Sequence, residues 1–261
     1  MTTTKKNTGT REWAKYNVNI QLGCSNKCRY CYARADAMRF KRIAGTTDWS
    51  KPIINQKVVD RNYGKKSGRI MFPSTHDITP DNISECLCVI LKLLDAGNQV
   101  LIVSKPHKEC IELMCERFKK YRRQLEFRFT IGSTRDDVLA FWEPGAPNFK
   151  MRMDSLKYTH YKNYRTSVSA EPYLDAEVEH LYTRCFSYIT ESFWIGTLRE
   201  FKRRVDRTKI SVEQMYDYVV PLLECQSKSA VLRLYEKLDG RPLIKWKDSI
   251  MEIVGKCAAS R

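Results

Sequence analysis

Long apolar segments are absent from this sequence of 261 residues. No apolar run is long enough to span a bilayer, and the polar start, residues 1 to 6, lacks the apolar segment of a signal peptide. No repeat period is visible either. We therefore expect a cytoplasmic protein without membrane association. Hydrophobic residues make up 43% of the chain, which is enough to bury the core of one full domain.

Acidic residues are too few to balance the basic ones. The chain has 30 Asp and Glu against 46 Lys and Arg, a formal net charge of +16. Such an excess indicates an anionic partner, with nucleic acid the first candidate. The charge is dispersed, however, and the basic runs at residues 119–123 and 202–204 are equally typical of solvated faces. Nucleotide, peptide and small-metabolite substrates therefore stay open.

Three of the ten cysteines lie close together, directly after a short alternating segment. Cys24, Cys28 and Cys31 have the spacing CxxxCxxC. Three thiolates on one loop can hold three corners of a [4Fe-4S] cluster and leave the fourth iron open, whereas structural zinc needs four protein ligands. A zinc site would have to recruit His76, the nearest downstream candidate. A redox pair of Cys28 and Cys31 would leave Cys24 unexplained. The pattern favours the cluster.

The cysteine loop also resembles that of a known superfamily. CxxxCxxC, with an aromatic residue before the last cysteine and Tyr32 after it, is similar to the motif of the radical SAM enzymes. This resemblance implies that S-adenosylmethionine (SAM) binds the open iron through its amino and carboxylate groups. Its reductive cleavage would give methionine and a 5′-deoxyadenosyl radical. The resemblance further implies an electron donor of the flavodoxin or ferredoxin type.

Six predicted strands alternate with helical patterns along the chain. They lie within residues 17–22, 68–77, 100–105, 126–132, 165–171 and 192–197. Alternation of this kind builds parallel βαβ units, so the sequence predicts an α/β fold, a partial (β/α)6 TIM-like barrel with C-terminal helices. We divide the chain into a flexible lead (1–15), the core barrel (16–200) and a helical extension packed on it (201–261). In such barrels the chemistry lies at the carboxyl ends of the strands.

Polar residues alternate with apolar ones in two of the predicted strands. Arg128 and Thr130 alternate with phenylalanines, while Ser167, Ser169 and Glu171 alternate with Val168 and Ala170. A polar inner face indicates a wet cavity inside the barrel. A sheet with one solvated face is the alternative interpretation.

Over roughly residues 16 to 200 the chain is similar to the spore photoproduct lyase-like branch and to phage-encoded members of the superfamily. The segments that carry this similarity are 28–32, 74–77, 104–105, 129–132, 142–147 with Arg152, 169–174 and 194–197. By this resemblance Ser74, Lys105 and Thr130 would contact the methionyl end of SAM. The full set of implied cofactor-binding residues is Tyr30, Tyr32, Ser74, Thr75, Lys105, Thr130, Ser133, Ser169 and Glu171. For Glu171, capping of the next helix is the alternative.

His76 and Asp77 follow the second strand and are candidates for substrate contact or proton handling. Spore photoproduct lyases carry a hydrogen-donating cysteine in the segment where this chain has Ser74. A serine O–H is a far poorer hydrogen-atom donor than a thiol, so dimer splitting by that route is not expected. The rival of another class is a non-catalytic iron-sulfur or zinc protein that binds nucleic acid.

Overall fold

The computed structural model describes residues 8 to 258, with side chains as far as residue 255. Its strands are β1 (Tyr16–Asn17), β2 (Gln21–Leu22), β3 (Ile53–Ile54), β4 (Ile70–Phe72), β5 (Val100–Ser104), β6 (Leu125–Thr130), β7 (Arg165–Ala170), β8 (Ser192–Ile195) and β9 (Ile244–Trp246). Seven of them form one sheet in the order β1-β4-β5-β6-β7-β8-β9, and every neighbouring pair is parallel. β2 and β3 form a separate antiparallel pair.

Helices connect the parallel strands from β4 onward, three more precede β4, and one follows β9. They are α1 (Tyr32–Arg39), α2 (Thr46–Trp49), α3 (Gln56–Asp60), α4 (Ile83–Asp95), α5 (Lys108–Arg117), α6 (Asp136–Trp142), α7 (Phe149–Tyr161), α8 (Val178–Phe186), α9 (Phe201–Arg204), α10 (Val212–Gln214), α11 (Val220–Cys225), α12 (Lys228–Leu238) and α13 (Asp248–Ala258). Because every neighbouring pair is parallel, the carboxyl ends of all seven strands lie along one edge. No helix in the described part of the chain is long and apolar enough to cross a membrane.

One face of the sheet packs against the helices. Phe127, Phe129 and Val168 point to this side and are fully buried in the main core with the apolar faces of α4, α5, α7 and α8. β5 is buried along its whole length, as its continuous apolar run predicts. The predicted α/β fold with a parallel sheet is confirmed.

The opposite face was expected to line a wet cavity, but it is packed at its centre. The guanidinium of Arg128 lies 4.8 Å from the ring centre of Trp13 and 5.5 Å from that of Trp194. It also donates to the Glu126 carboxylate at 2.8 Å and to the Ser167 hydroxyl at 3.0 Å. Since this charge is paired, it can be buried at low cost. A water-accessible cavity lies toward the carboxyl ends of the strands.

The described part of the N-terminal lead packs against the sheet. Residues 9–12 form a 3-10 turn, and Trp13 and Ala14 are buried against the inner face of the sheet. The Glu12 carboxylate accepts a hydrogen bond from the backbone N–H of Asp248 at 3.1 Å. This segment therefore joins the β1 and β9 ends of the sheet. Residues 1–7 of the predicted lead lie outside the described residues.

Two strand predictions also need correction. The first predicted strand is split, because Asn19 and Ile20 bond instead to the loop after β4. The Asn19 side chain accepts from the backbone N–H of Ser74 at 2.6 Å, and the Ile20 N–H donates to His76 at 3.2 Å. The C-terminal extension is not wholly helical, since β9 pairs with β8 and adds a seventh strand to the sheet.

Candidate active site

A cavity of about 560 Å³ opens at the carboxyl ends of the strands and contains the predicted site. Cys24, Cys28 and Cys31 all line it, and the first two are only 6% and 7% exposed. The other predicted residues that line it are Tyr30, Tyr32, Ser74, Thr75, His76, Asp77, Lys105, Thr130 and Glu171. Residues from four separate strand ends and the cysteine loop thus meet in one place.

The cysteine loop is fixed by its backbone. The Cys24 N–H donates to the Trp49 carbonyl at 2.8 Å, and the Arg29 N–H donates to the Trp142 carbonyl at 2.8 Å. Gly145 donates to the Asn26 carbonyl at 3.0 Å and approaches so closely that a Cβ there would lie 2.5 Å from a loop carbonyl oxygen. The end of α6 and the turn after it therefore support the cysteine loop.

The three thiols are suited to separate irons of one cluster. Burial raises the pKa of Cys24 to about 12 and also raises the pKa values of Cys28 and Cys31, while the nearby Lys105 ammonium acts in the opposite direction. Metal binding must therefore displace their protons. Three thiolates can hold three corners of a cubane, whereas structural zinc needs a fourth protein ligand, so the chemistry of this donor set fits a cluster.

Asp77 links the cysteine loop to β5. Its carboxylate accepts from the Asn26 amide at 2.9 Å, the Ser104 hydroxyl at 3.0 Å and the backbone N–H of Lys105 at 2.7 Å. The Lys105 ammonium lies 3.5 Å away. Burial by itself would raise the pKa of Asp77, but Lys105 and these hydrogen bonds outweigh it and hold the pKa below its usual value. Asp77 is therefore a carboxylate with all of its partners inside the protein.

His76 is held by backbone groups on both sides of its ring. Nε2 accepts from the Ile20 N–H, and Nδ1 lies 3.0 Å from the Asp77 carbonyl oxygen. Burial lowers the pKa of His76, so the ring is neutral at pH 7. Both residues line the cavity and are held by groups of the protein, and their part in substrate contact or proton handling stays a prediction.

Lys105 lies in a buried group of charges that sequence patterns only partly reveal. Its ammonium lies 3.5 Å from Asp77 and 3.9 Å from Glu143, and 5.9 Å from the ring centre of Tyr30. Burial alone would lower the pKa of Lys105, but these anionic neighbours raise it well above its ordinary value. Glu143 also accepts from the Tyr30 hydroxyl and pairs with the fully buried Arg152 at 2.5 Å. Lys105 is thus a permanent cation in the wall of the cavity.

The segment after β4 is shaped by Asn19, which we did not single out from the sequence. Its amide oxygen accepts from the backbone N–H groups of both Ser74 and Thr75, and its nitrogen donates to the Ser74 hydroxyl at 2.9 Å. The Tyr32 hydroxyl donates to the Ser74 carbonyl. Ser74, Thr75 and Tyr32 therefore present a fixed surface to the cavity.

Two of the predicted cofactor-binding residues lie behind the wall of the cavity. Ser133 is buried, donates its hydroxyl to Asp175 and accepts from the Arg135 N–H at 2.9 Å, so it shapes the turn before α6. Ser169 is buried beneath Thr130, whose hydroxyl lies 3.3 Å from its own. The family resemblance implied both residues, but the direction of each side chain is set by its local partners.

Glu171 follows β7 and lines the cavity beside a buried lysine. Its carboxylate lies 3.5 Å from Nζ of Lys247, which is fully buried and pairs with Glu12 at 2.8 Å. Burial, together with Glu12 and Asp248, raises the pKa of Glu171 to about 7 in spite of Lys247. The next helix, α8, has Glu177 at its N-cap, so the helix-capping alternative for Glu171 is wrong.

Comparisons with known proteins found one related sequence and several solved structures of similar fold. No family model matches the chain. An uncharacterized protein of Methanocaldococcus jannaschii is 24% identical over 203 residues, which cover 74% of this chain and 76% of the relative. Spore photoproduct lyase complexed with dinucleoside spore photoproduct superposes with a TM-score of 0.59 at 16% identity, covering 94% of this chain and 79% of the lyase.

A second solved structure has the same architecture. Streptococcus suis SuiB bound to its precursor peptide SuiA superposes with a TM-score of 0.53 at 10% identity. The match covers 90% of this chain but 49% of SuiB, so this chain spans about half the length of that protein. The chain has the fold of the radical SAM enzymes.

Within this radical SAM fold, the buried residues of the site come from segments that are far apart in the sequence. Local sequence patterns do not show that these segments are in contact. Glu143 and Arg152 could have been found as charged residues in apolar surroundings, and Asn26 as part of the cysteine loop. Lys247 carried no such signal, because its partners Glu12 and Glu171 lie far away in the sequence. Contacts of this kind appear only once the sheet is assembled.

We expect the variant Glu171→Gln to stabilise the protein at alkaline pH. A carboxyl group whose pKa rises from 4.5 to about 7 on folding holds more protons in the folded state between these values, so stability falls as the pH rises through that range. Glutamine does not titrate, and the free energy of unfolding of the variant relative to the native protein should grow by about 1 to 3 kcal/mol between about pH 5 and pH 8. Urea unfolding of the cluster-free proteins at both pH values measures this. A difference that does not change with pH would contradict it.

Proposed function

We propose that this protein is a radical SAM enzyme that carries a [4Fe-4S] cluster on Cys24, Cys28 and Cys31. The observation that carries the proposal is that these thiols line one cavity at the carboxyl ends of a parallel sheet with the radical SAM fold. When bound, the cluster and SAM would supply reductive cleavage to a 5′-deoxyadenosyl radical, which removes a hydrogen atom from the substrate. We further propose that the sheet curves into a partial barrel in which β9 is added to the six predicted strands.

The protein's own residues would bind and orient SAM. The Lys105 ammonium, held in place by Asp77 and Glu143, can donate to the SAM carboxylate. Glu171 can accept from the SAM ammonium when it is ionised, because it faces the same cavity from the other side of the sheet edge. The fixed strand-end segment, Ser74 and Thr75, and the hydroxyl of Thr130 offer further hydrogen-bonding groups. Buried partners of these side chains restrict their motion, which favours one orientation of the cofactor.

An anionic substrate, nucleic acid or a nucleotide, is the substrate class that we propose. The side chains that line the cavity include five cations, Arg11, Lys27, Lys105, Arg199 and Arg204, against three carboxylates. The net charge of +16 would attract a polyanion over a long distance. The similar spore photoproduct lyase structure holds a dinucleoside, whereas SuiB holds a peptide. Ser74 argues against lyase chemistry that depends on a thiol hydrogen donor at that place.

The test is the formation of 5′-deoxyadenosine by protein reconstituted with iron and sulfide without oxygen and supplied with SAM and dithionite. We expect product in amounts that grow with time. Absence of product from protein that contains an intact cluster would favour the non-catalytic alternative.

A DNA or RNA mobility shift that weakens as salt increases would support the substrate class, and no shift at low salt would contradict it.

A further inference from the structure

A basic surface with an exposed aromatic centre begins where the cysteine loop ends. We define it as the α1 end surface, residues Met38 to Arg42. All five residues are exposed, with Phe40 at 58% and Met38 at 42%. Three of the five are cations, and the guanidinium groups of Arg39 and Arg42 lie 5.5 and 5.6 Å from the ring centre of Phe40. An apolar centre within a charged rim is typical of a protein interface.

The charges of this surface are not used within the protein. Among the side chains that the structure describes, residues 8 to 255, Arg39, Lys41 and Arg42 form no ion pair. The two acidic residues nearby in the sequence are already engaged. Asp36 pairs with Arg203 at 2.5 Å, and Asp48 accepts from the backbone N–H groups at the start of α2. The α1 end surface therefore keeps a net positive charge, although the opposite charges in the rest of α1 cancel.

The surface is joined directly to the cysteine loop. Cys31 is the N-cap of α1, and its sulfur accepts from the Arg34 N–H at 3.4 Å. α1 ends at Arg39, so its eight residues place the surface about 12 Å along the helix from the Cys31 thiol. The inner side of the same helix, Ala33 and Ala37, packs with Cys24 and Trp49. Only one helix thus separates the thiols from this exposed surface.

We propose that the α1 end surface is the docking site for an acidic one-electron carrier protein of the flavodoxin or ferredoxin type. This inference rests on the proposed function. Such a carrier must bind briefly and close to the cluster, and complementary charge raises the encounter rate more than the final affinity. Exposed Phe40 and Met38 supply the small apolar contact of a transient complex. Aromatic and basic side chains can also bind nucleic acid, but the position of the surface directly behind the cysteine loop favours the carrier.

The test compares two electron donors in the same protein. The triple variant Arg39→Glu, Lys41→Glu, Arg42→Glu should form 5′-deoxyadenosine with dithionite at a rate within about twofold of the native protein. With purified flavodoxin and its NADPH-dependent reductase, its KM for flavodoxin should rise by about tenfold or more, because attraction becomes repulsion. The rate of the native protein with flavodoxin should fall as salt increases, and that of the variant should not.

A matched control has the same change in charge at the other end of the sheet. Arg117, Lys120 and Arg123 are exposed at the end of α5 and in the turn before β6. Their replacement by Glu should leave the KM for flavodoxin unchanged. If the reversal variant loses iron, the milder Arg39→Gln, Lys41→Gln, Arg42→Gln variant takes its place, with a smaller rise expected.

The outcomes separate the two proposals. No product from the native protein with dithionite would refute the proposed function itself. Product with dithionite, but the same KM for flavodoxin in both triple variants and the native protein, would refute only the docking site. A reversal variant that keeps its KM for flavodoxin but loses a salt-dependent DNA shift would assign the α1 end surface to nucleic acid and also refute the carrier.

Discussion

Replacing Cys28 by alanine is expected to abolish 5′-deoxyadenosine formation, by at least about a thousandfold, and to bring the iron and sulfide content close to background. Cys28 is 7% exposed in the wall of the cavity and lies between the other two ligands in the loop. With two thiolates left, a cubane loses one of its three protein anchors. The same result is expected for Cys24→Ala and Cys31→Ala. Iron and sulfide analysis, combined with the product assay with dithionite, measures both effects.

A buried cysteine elsewhere provides the matched control for this prediction. Cys115 on α5 is 1% exposed and belongs to the helix side of the core. Cys115→Ala should cost about 1 kcal/mol of stability and leave iron content and product formation intact. If Cys28→Ala kept its iron, or lost zinc rather than iron, the cluster assignment would be wrong.

The second large effect is expected from Asp77→Ala, which should lower the free energy of unfolding by about 3 to 5 kcal/mol. The change leaves the buried Lys105 ammonium with Glu143 alone, 3.9 Å away. It also removes the acceptor for the Asn26 amide and the Ser104 hydroxyl. Unpaired buried charges and donors carry the full cost of their lost solvation. Urea unfolding of the cluster-free protein measures the loss, and the cysteine loop should bind iron more weakly.

The control for Asp77 is an aspartate whose ion pair is exposed. Asp154 on α7 pairs with Lys150 at 2.7 Å, one turn away on the same helix. Exposed pairs of this type contribute little, so Asp154→Ala should change stability by no more than about 0.5 kcal/mol. Equal losses for the two variants would mean that the Asp77 network is not the link between β5 and the cysteine loop.

The sequence predicted the parts of the site that depend on local spacing. CxxxCxxC identified the three thiols, and the continuous apolar run of β5 led directly to Lys105 at its end. Alternation in β6 and β7 correctly separated Phe127 and Val168 from the inner face. Each of these signals lies within a few residues, so a single chain is enough to read it.

What could not be predicted depends on pairs that are distant in the sequence. Glu12 and Lys247 meet only because β9 takes the last place in the sheet, and three residues are too few to reveal that strand by alternation. Arg128 was expected to face water, but Trp13 covers it from a segment that looked like a flexible lead. Tertiary contacts, rather than the local conformational preferences of the sequence, determine the positions of these residues.

The segment that joins the two ends of the sheet has a practical consequence for recombinant work. Thr8, Gly9 and Arg11 belong to the wall of the cavity, and Lys247 depends on the Gly9 carbonyl as well as on Glu12. Proteolysis within this stretch would therefore remove part of the cavity wall and two partners of Lys247. Expression vectors that leave residues 8 to 14 intact, and shortened versions as a deliberate comparison, follow directly from this architecture.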